Sequence, residues 1–161
     1  SNTGIWNDTL PSATVITLGN LSGFQNESTD DHICYAFHSV EGYSKVGKYI
    51  GAGSGAGGEF QHGPVVHCGF LPAFVLIKQL TAPAEGWCIY DSTKETYNTV
   101  DLVLHSNDNR AEYTANAVTF ALDFYANGFT VKTEYSALNA SGEEYLFYAV
   151  AKSPFKYSNA F

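Results

Sequence analysis

Methionine is absent from all 161 residues, and only 15% of the chain is Asp, Glu, Lys or Arg. With no Met even at position 1, a processed product or an excerpt of a longer chain is expected. The charged fraction is well below the roughly 25% of an average globular protein. No stretch approaches the ~18 uninterrupted apolar residues that a membrane helix needs, so no membrane insertion is expected. The opening SNTGIWNDTLPSA also lacks the basic start and apolar run of a secretion signal. Basic residues are scarce: 8 Lys and Arg stand against 16 Asp and Glu, and the net charge of −8 opposes approach to nucleic acid or an anionic membrane surface. Three cysteines, Cys34, Cys68 and Cys88, are too few and too widely spaced for a disulfide framework. They are expected as three buried, reduced thiols acting as small core hydrophobes.

The missing charge is replaced by Ser, Thr, Asn, Gly and rings, including 11 Tyr and 11 Phe. Together with many β-branched residues, this composition favours strands. One domain of this length buries roughly 70% of the surface of its unfolded chain, whereas two full domains would be cramped. Period-two alternation recurs. Val118, Phe120, Leu122 and Phe124 point one way and Thr119, Ala121 and Asp123 the other; Asn127-Gly128 then supplies a turn before Phe129 and Val131. Further strands are expected at 12–19, 32–40, 44–50, 73–80, 86–91 and 144–152, with 73–80 apolar on both faces and therefore central and doubly covered. Residues 97–115 alone show a possible helical period, and their Asn and Asp content points to a single helical turn or an irregular loop. The expectation is an all-β antiparallel β-sandwich or jelly roll over residues 1–161, with 1–31 as an upstream linker or the end of a preceding repeat. A shift of 113 places Asn26, Ser28, Tyr35 and Ala36 on Asn139, Ser141, Tyr148 and Ala149, and Ile16-Thr17-Leu18 on Phe129-Thr130-Val131, which suggests two similar hairpins.

Residues 42–58, GYSKVGKYIGAGSGAGG, overlap two nucleotide-binding patterns. Both fail on the residues that follow. Tyr49 stands where a phosphate-binding loop needs a hydroxyl for magnesium, no helix can begin at Ile-Gly-Ala-Gly, and Pro64 closes the window of the dinucleotide pattern. No cofactor is expected. The run reads either as a strand ending in a loop or as an interface loop in which Gly53, Gly55, Gly57 and Gly58 let another backbone come close. His62, His67, Cys68 and Glu59 raise the question of zinc. The pair spans Gly63-Pro64, and alternation puts His67 and Cys68 on opposite faces, so no metal is expected. There is no G-x-S-x-G elbow for nucleophilic catalysis. Paired carboxylates drawn from Asp91, Glu95, Asp101, Glu112 and Asp123 remain a catalytic alternative.

WCIYDSTKETYN (87–98) mixes rings with hydrogen-bonding side chains, as a glycan site requires, since sugar C–H faces stack on aromatic planes. Trp87, Tyr90, Asp91, Tyr97 and Asn98 are the candidate ligand residues. The competing reading makes Trp87 and Tyr90 packing residues and Asp91 a turn cap. N-x-S/T acceptors occur at Asn7, Asn20, Asn26 and Asn139.

The stretches CYAFHSVEGYSKVGKYIGAGSG, GFLPAFVLIK, WCIYDSTKETYN and NGFTVKTEYSALNASGEEYLFYAVAKSPFKYSNAF, in this order, resemble a domain of unassigned function from tail-fibre and other structural proteins of tailed bacteriophages. The closing A-K-S-P-F-K-Y-S-N-A is its most specific element. The glycine run and the His62 to Cys68 segment depart from the simpler loop of the resembled domain. The resemblance implies a virion location and a repetitive, oligomeric setting, and it implies no chemistry. A noncatalytic virion module is therefore expected, a homo-oligomer with the trimer as leading state, contacting other virion proteins and a host-surface glycan. The alternatives are a polysaccharide depolymerase using loop carboxylates and a purely architectural filament subunit.

Overall fold

Alternating apolar residues become strands only where a neighbour supplies the other half of the hydrogen-bond ladder. In the computed structural model, which describes residues 7–19, 31–53, 63–81, 85–107, 109–114 and 119–154, those neighbours belong to one part of the chain. The chain divides into two compact units, Ser1–Ala36 and Phe37–Phe161. The second contains β1 (Ser44–Ile50), β2 (Val65–His67), β3 (Pro72–Gln79), β4 (Trp87–Asp91), β5 (Leu102–His105), β6 (Tyr113–Thr114), β7 (Leu122–Tyr125), β8 (Gly128–Val131), the helical turn α1 (Ser136–Asn139) and β9 (Glu144–Ala151). They form a six-stranded sheet ordered β1-β9-β3-β4-β5-β6 and a three-stranded sheet ordered β2-β8-β7, every pairing antiparallel. The fold is a β-sandwich, as composition and alternation indicate.

The inward face of the larger sheet carries Tyr49, Val75, Ile77, Cys88, Tyr90, Val103, Tyr145, Phe147 and Ala149, joined in one core with Val66, Leu122, Phe124, Phe129 and Val131 of the smaller sheet. Phe129 meets Tyr49 and Phe147 edge-on at 6.3 and 5.6 Å between ring centroids. Strand β9 alternates without a break, Tyr145, Phe147, Ala149 and Ala151 inward and Glu144, Leu146, Tyr148 and Val150 outward. Strand β3 is central, as expected, but its second face is half-buried rather than covered, and its register shifts between Pro72 and Phe74. One outward row crosses five strands: Val46, Tyr148, Leu76, Ile89 and Leu104 are successive register partners, all apolar and none in the core. Phe37 rests on Tyr148 at 4.7 Å.

Two stacked tyrosines tie the core to α1. Tyr49 and Tyr145 are register partners on β1 and β9, and their rings lie 4.9 Å apart and nearly parallel. The Tyr49 hydroxyl donates to the Leu138 carbonyl at 2.8 Å. The Tyr145 hydroxyl donates to the Ser136 carbonyl and accepts the Ala140 N–H, so one side chain closes both ends of the turn. Asn139, fully buried, completes the attachment by accepting the Ala52 N–H and donating to the Thr133 carbonyl, each at 2.7 Å. A buried amide with both ends engaged is no glycosylation acceptor, which removes Asn139 from that list.

Several expectations are corrected. Residues 12–19 form no strand: Ser12 Oγ accepts the Thr14 and Val15 amides, a local alternative to a ladder. Residues 32–40 form no strand either and make one bridge, Val40 to Ser44. Beyond that bridge the Ser39 hydroxyl accepts the Val46 N–H and donates to the Val46 carbonyl, so a side chain sits where the next backbone would pair with β1. The two copies of the 113-residue repeat consequently differ: Tyr148 and Ala149 lie in β9, whereas Tyr35 and Ala36 are exposed and outside any strand. Asn26 and Ser28 lie outside the described residues. Within 97–115 stand β5 and β6, and the helical turn falls at 136–139 instead. The hairpin exists, but Phe124 faces Phe129 and Tyr125 faces Gly128, so Ala126 and Asn127 make the turn and Gly128 is already strand. A Cβ there would meet the Val66 carbonyl oxygen at 1.9 Å, which makes glycine the condition for β2 joining β8.

The cysteines are free, but Cys34 is exposed, which corrects the expectation of three buried thiols. Burial pushes the Cys68 thiol up to about 11 and the Cys88 thiol up to about 12. An aromatic thiol reagent at neutral pH is expected to titrate one thiol in the native protein and all three after denaturation. Because folding raises these two values, the protonated thiols favour the native state below the unfolded value of 9.0, and that contribution is lost as pH rises from about 9 towards 12. Urea midpoints are expected to fall across that window. Tyr145→Phe leaves the Ser136 carbonyl and Ala140 N–H without their partner and is expected to cost about 1–3 kcal/mol in denaturant unfolding.

Candidate functional site

A cavity of about 470 Å³ opens beside β5, lined by His105, Arg110, Glu112, Thr119, Phe120 and Tyr135 among others. Its size falls within the roughly 300–1,000 Å³ of small-ligand pockets. Strand alternation turns His105 to the same side as core residue Val103, and its Nδ1 lies 3.1 Å from the Trp87 carbonyl oxygen on β4. A carbonyl can only accept, so Nδ1 is the ring nitrogen that carries a proton there. Phe120 meets the His105 ring edge-on at 5.5 Å, and Tyr135 meets Phe120 at 4.8 Å. The three rings form a continuous wall. His105 and Phe120 are buried, while Tyr135 is 38% exposed and offers its ring to solvent.

Thr133 sets the spacing of that wall. Fully buried, it donates from Oγ1 to the Thr119 carbonyl at 3.0 Å and accepts the Tyr135 N–H at 3.0 Å, fastening the residue before Phe120 to Tyr135 itself. The same cavity is also lined by charged groups. Glu112 is paired with Lys94 from the loop after β4. Arg110, exposed, is the only arginine in the chain.

The residues singled out from sequence are distributed differently. Tyr90 is a core residue with no exposed surface, which removes it from the candidate ligand set, and burial pushes its hydroxyl well above the ordinary value. Trp87 and Asp91 lie at opposite ends of β4 on the outward side, each half-buried. Asp91 caps a turn, Oδ1 accepting the Thr93 N–H at 2.7 Å, and its hydrogen bond with the Thr93 side chain, helped by that backbone bond, holds its carboxyl below the usual range. Tyr97 is 86% exposed. Asn98 acts as a backbone substitute: its Nδ2 donates to the Phe124 carbonyl at 2.8 Å and its Oδ1 accepts the Phe124 N–H at 2.9 Å. Of the glycine run, Gly53 has φ +54° and a Cβ would come within 2.3 Å of Ser141 Cβ, so the close approach there is to its own chain. Gly55, Gly57 and Gly58 lie outside the described residues, as do Glu59 and His62. His67 is exposed and Cys68 buried, the opposite faces that alternation demands. Among the described residues no three His, Cys, Asp or Glu side chains are gathered for a metal ion.

Most of the carboxylates have structural duties, and Glu95 and Asp101 are close enough to interact. Glu95 accepts the Asp101 and Leu102 amides at 2.9 and 2.6 Å. Burial, and secondarily the Glu95 charge, raises the Asp101 carboxyl. Asp123 pairs with Lys132 at 3.6 Å and accepts the Tyr125 hydroxyl at 3.3 Å. Sequence reasoning missed His105, Arg110, Phe120 and Tyr135 as a group; a solitary arginine in an acidic chain was the available signal.

Thr133→Val keeps the volume of the side chain and removes both hydrogen bonds. It is expected to cost about 1–3 kcal/mol in urea unfolding and to loosen Tyr135, read as altered near-ultraviolet circular dichroism. A family model described as a domain of unknown function (DUF7483) matches residues 1–154. No curated protein and no solved structure matches.

Proposed function

Given that the chain belongs to the DUF7483 family, a domain of unknown function, we propose that it is a noncatalytic module of a tailed-bacteriophage virion, displayed in several copies and binding host-surface glycan in the cavity beside β5. The observation that carries this reading is the ring wall of His105, Phe120 and Tyr135 lining, together with hydrogen-bonding side chains, a cavity of about 470 Å³. A pyranose needs a flat apolar surface under its C–H face and polar groups around its rim. Tyr135 supplies the first, and Thr119, Arg110 and Glu112 supply the second. The glycan site of this reading has thus moved from the 87–98 segment, where Tyr90 is committed to the core, to the neighbouring end of the sheet.

Multiple copies are favoured by the outward row Val46, Tyr148, Leu76, Ile89 and Leu104. Contiguous apolar rows on a sheet surface are characteristic of contact faces. The partner proposed for this face is a second copy of the chain.

Retention of the protein on host envelope polysaccharide is expected, and Tyr135→Ala is expected to abolish it while leaving thermal unfolding near the wild-type temperature. Equal retention of that variant would remove the cavity from consideration. Incubation with the same polysaccharide is expected to release no new reducing ends; release would favour the depolymerase alternative, with Glu95 and Asp101 as the first pair to replace. Light scattering is expected to give a defined oligomer, a trimer in the leading case, which Leu76→Lys shifts towards monomer. A wild-type monomer at every concentration would exclude the self-contact.

A further inference from the structure

We infer that the open end of the β4–β5 pair is a calcium site, with Glu95 and Asp101 as its charged ligands and the Ser92 hydroxyl as a neutral one. Strands β4 and β5 pair at Cys88 with His105 and at Ile89 with Leu104. Continued in step, that register sets Ser92 opposite Asp101. Tyr90 and Ser92 extend the buried, inward row of β4, and alternation from Val103 turns Asp101 to the same side. The Tyr90 hydroxyl registers this placement, because it is pushed up chiefly by burial but also by the charge of Asp101. The turn after β4, closed by the Lys94 and Glu95 amides donating to the Asp91 carbonyl, carries Glu95 back to β5, where its Oε2 accepts the Asp101 and Leu102 amides.

Two independent features call for a cation there. The carboxylates repel: burial, and secondarily the Glu95 charge, hold the Asp101 carboxyl above its ordinary value. Among the described residues the Asp101 side chain takes no hydrogen bond and no ion pair, and Lys94 in the same loop is committed to Glu112. The second feature does not involve charge. Ser92 Oγ and the Tyr90 hydroxyl oxygen are buried without a hydrogen-bond partner, on residues only 6% and 0% exposed. Buried hydroxyls are ordinarily partnered, so each needs an explanation. A cation supplies both at once, taking up a lone pair of Ser92 Oγ and drawing the carboxylates together in front of Tyr90, whose hydroxyl can then donate to one of them.

The chemistry of the donors selects the ion. All are oxygens, with no imidazole or thiolate to favour zinc, and only two are ionisable, in keeping with the lack of any three acidic, His or Cys side chains gathered among the described residues. Calcium accepts irregular oxygen shells completed by carbonyls and water, whereas magnesium demands a near-ideal octahedron. With two carboxylates, affinity belongs at the weak end of the calcium range, with Kd about 10⁻⁴–10⁻³ M.

Terbium luminescence excited through the aromatic side chains, together with calorimetry in calcium or magnesium chloride, tests the inference on the intact chain dialysed against chelator. Wild type is expected to sensitise terbium, with Tyr90 as the nearby ring, to lose that emission on addition of calcium, and to bind magnesium roughly tenfold more weakly than calcium. Asp101→Asn and Glu95→Gln preserve shape, the latter also keeping an oxygen for the two amides, and each is expected to weaken calcium roughly tenfold or more. Without calcium, Ser92→Ala and Asp101→Asn are expected to unfold at or above the wild-type temperature, since one loses an unpartnered hydroxyl and the other a repelled charge; calcium is expected to raise the wild-type temperature and to leave that of Asp101→Asn in place. A wild type silent in both titrations overturns the inference, as does unchanged calcium affinity in Asp101→Asn and Glu95→Gln. Asp101→Asn unfolding well below wild type without calcium would show the charge to be already compensated and would remove the reason for a cation. Magnesium binding as tightly as calcium would overturn the assignment to calcium.

Discussion

The contact on which the rest depends is the stack of Tyr49 on Tyr145. Two rings 4.9 Å apart are buried in the core on the β1–β9 pair, and burial pushes the Tyr49 hydroxyl well above its ordinary value. Neither hydroxyl is idle, because a buried phenol without a partner costs free energy that the ring alone would not recover. Both reach the turn at 136–140, and through Asn139 that turn also holds Ala52 and Thr133. Thr133 in turn fixes Phe120 against Tyr135. The cavity wall is thus connected to the centre of the core by an unbroken series of hydrogen bonds and ring contacts. Such a site is held by the same interactions that hold the fold.

The two faces of the larger sheet divide the work. Inward residues are mostly apolar and sealed; outward ones mix half-buried apolar side chains such as Leu76, Ile89 and Tyr148 with charged ones such as Lys78, Asp91 and Glu144. The cavity is at the β5 end of this sheet and the row of Val46 to Leu104 runs across it. The cavity and the apolar row thus belong to one and the same layer of the fold.

How much of this could be read beforehand depends on what each residue's role required. Strands 44–50, 86–91 and 144–152 were legible because their alternation is carried by side chains that the core uses, such as Tyr49, Cys88, Phe147 and Ala149. Segments 12–19 and 32–40 carry the same pattern without the same outcome, since Ser12 and Ser39 spend their hydroxyls on backbone groups that a ladder would otherwise use. Residues 102–105 were obscured by His105, a polar residue in an inward position that a ring contact and one carbonyl make acceptable. Tyr90 misled in the opposite sense, its position near Asp91 and Trp87 suggesting a surface that alternation denies it. The cavity was illegible for a different reason. Its residues come from β5, from 110–112, from 119–120 and from 135, and no local period relates positions that only the folded chain brings together.

The plug at the rim of the larger sheet carries a consequence for crowding. Where β1 could accept another chain's backbone, Val40 occupies Ser44 and the Ser39 hydroxyl occupies Val46, while Lys48 reaches over to Glu144 at 3.1 Å. Edges treated in this manner resist runaway cross-β growth. Identical sandwiches at very high local density would then remain separate folding units, their ladders unable to fuse at this edge.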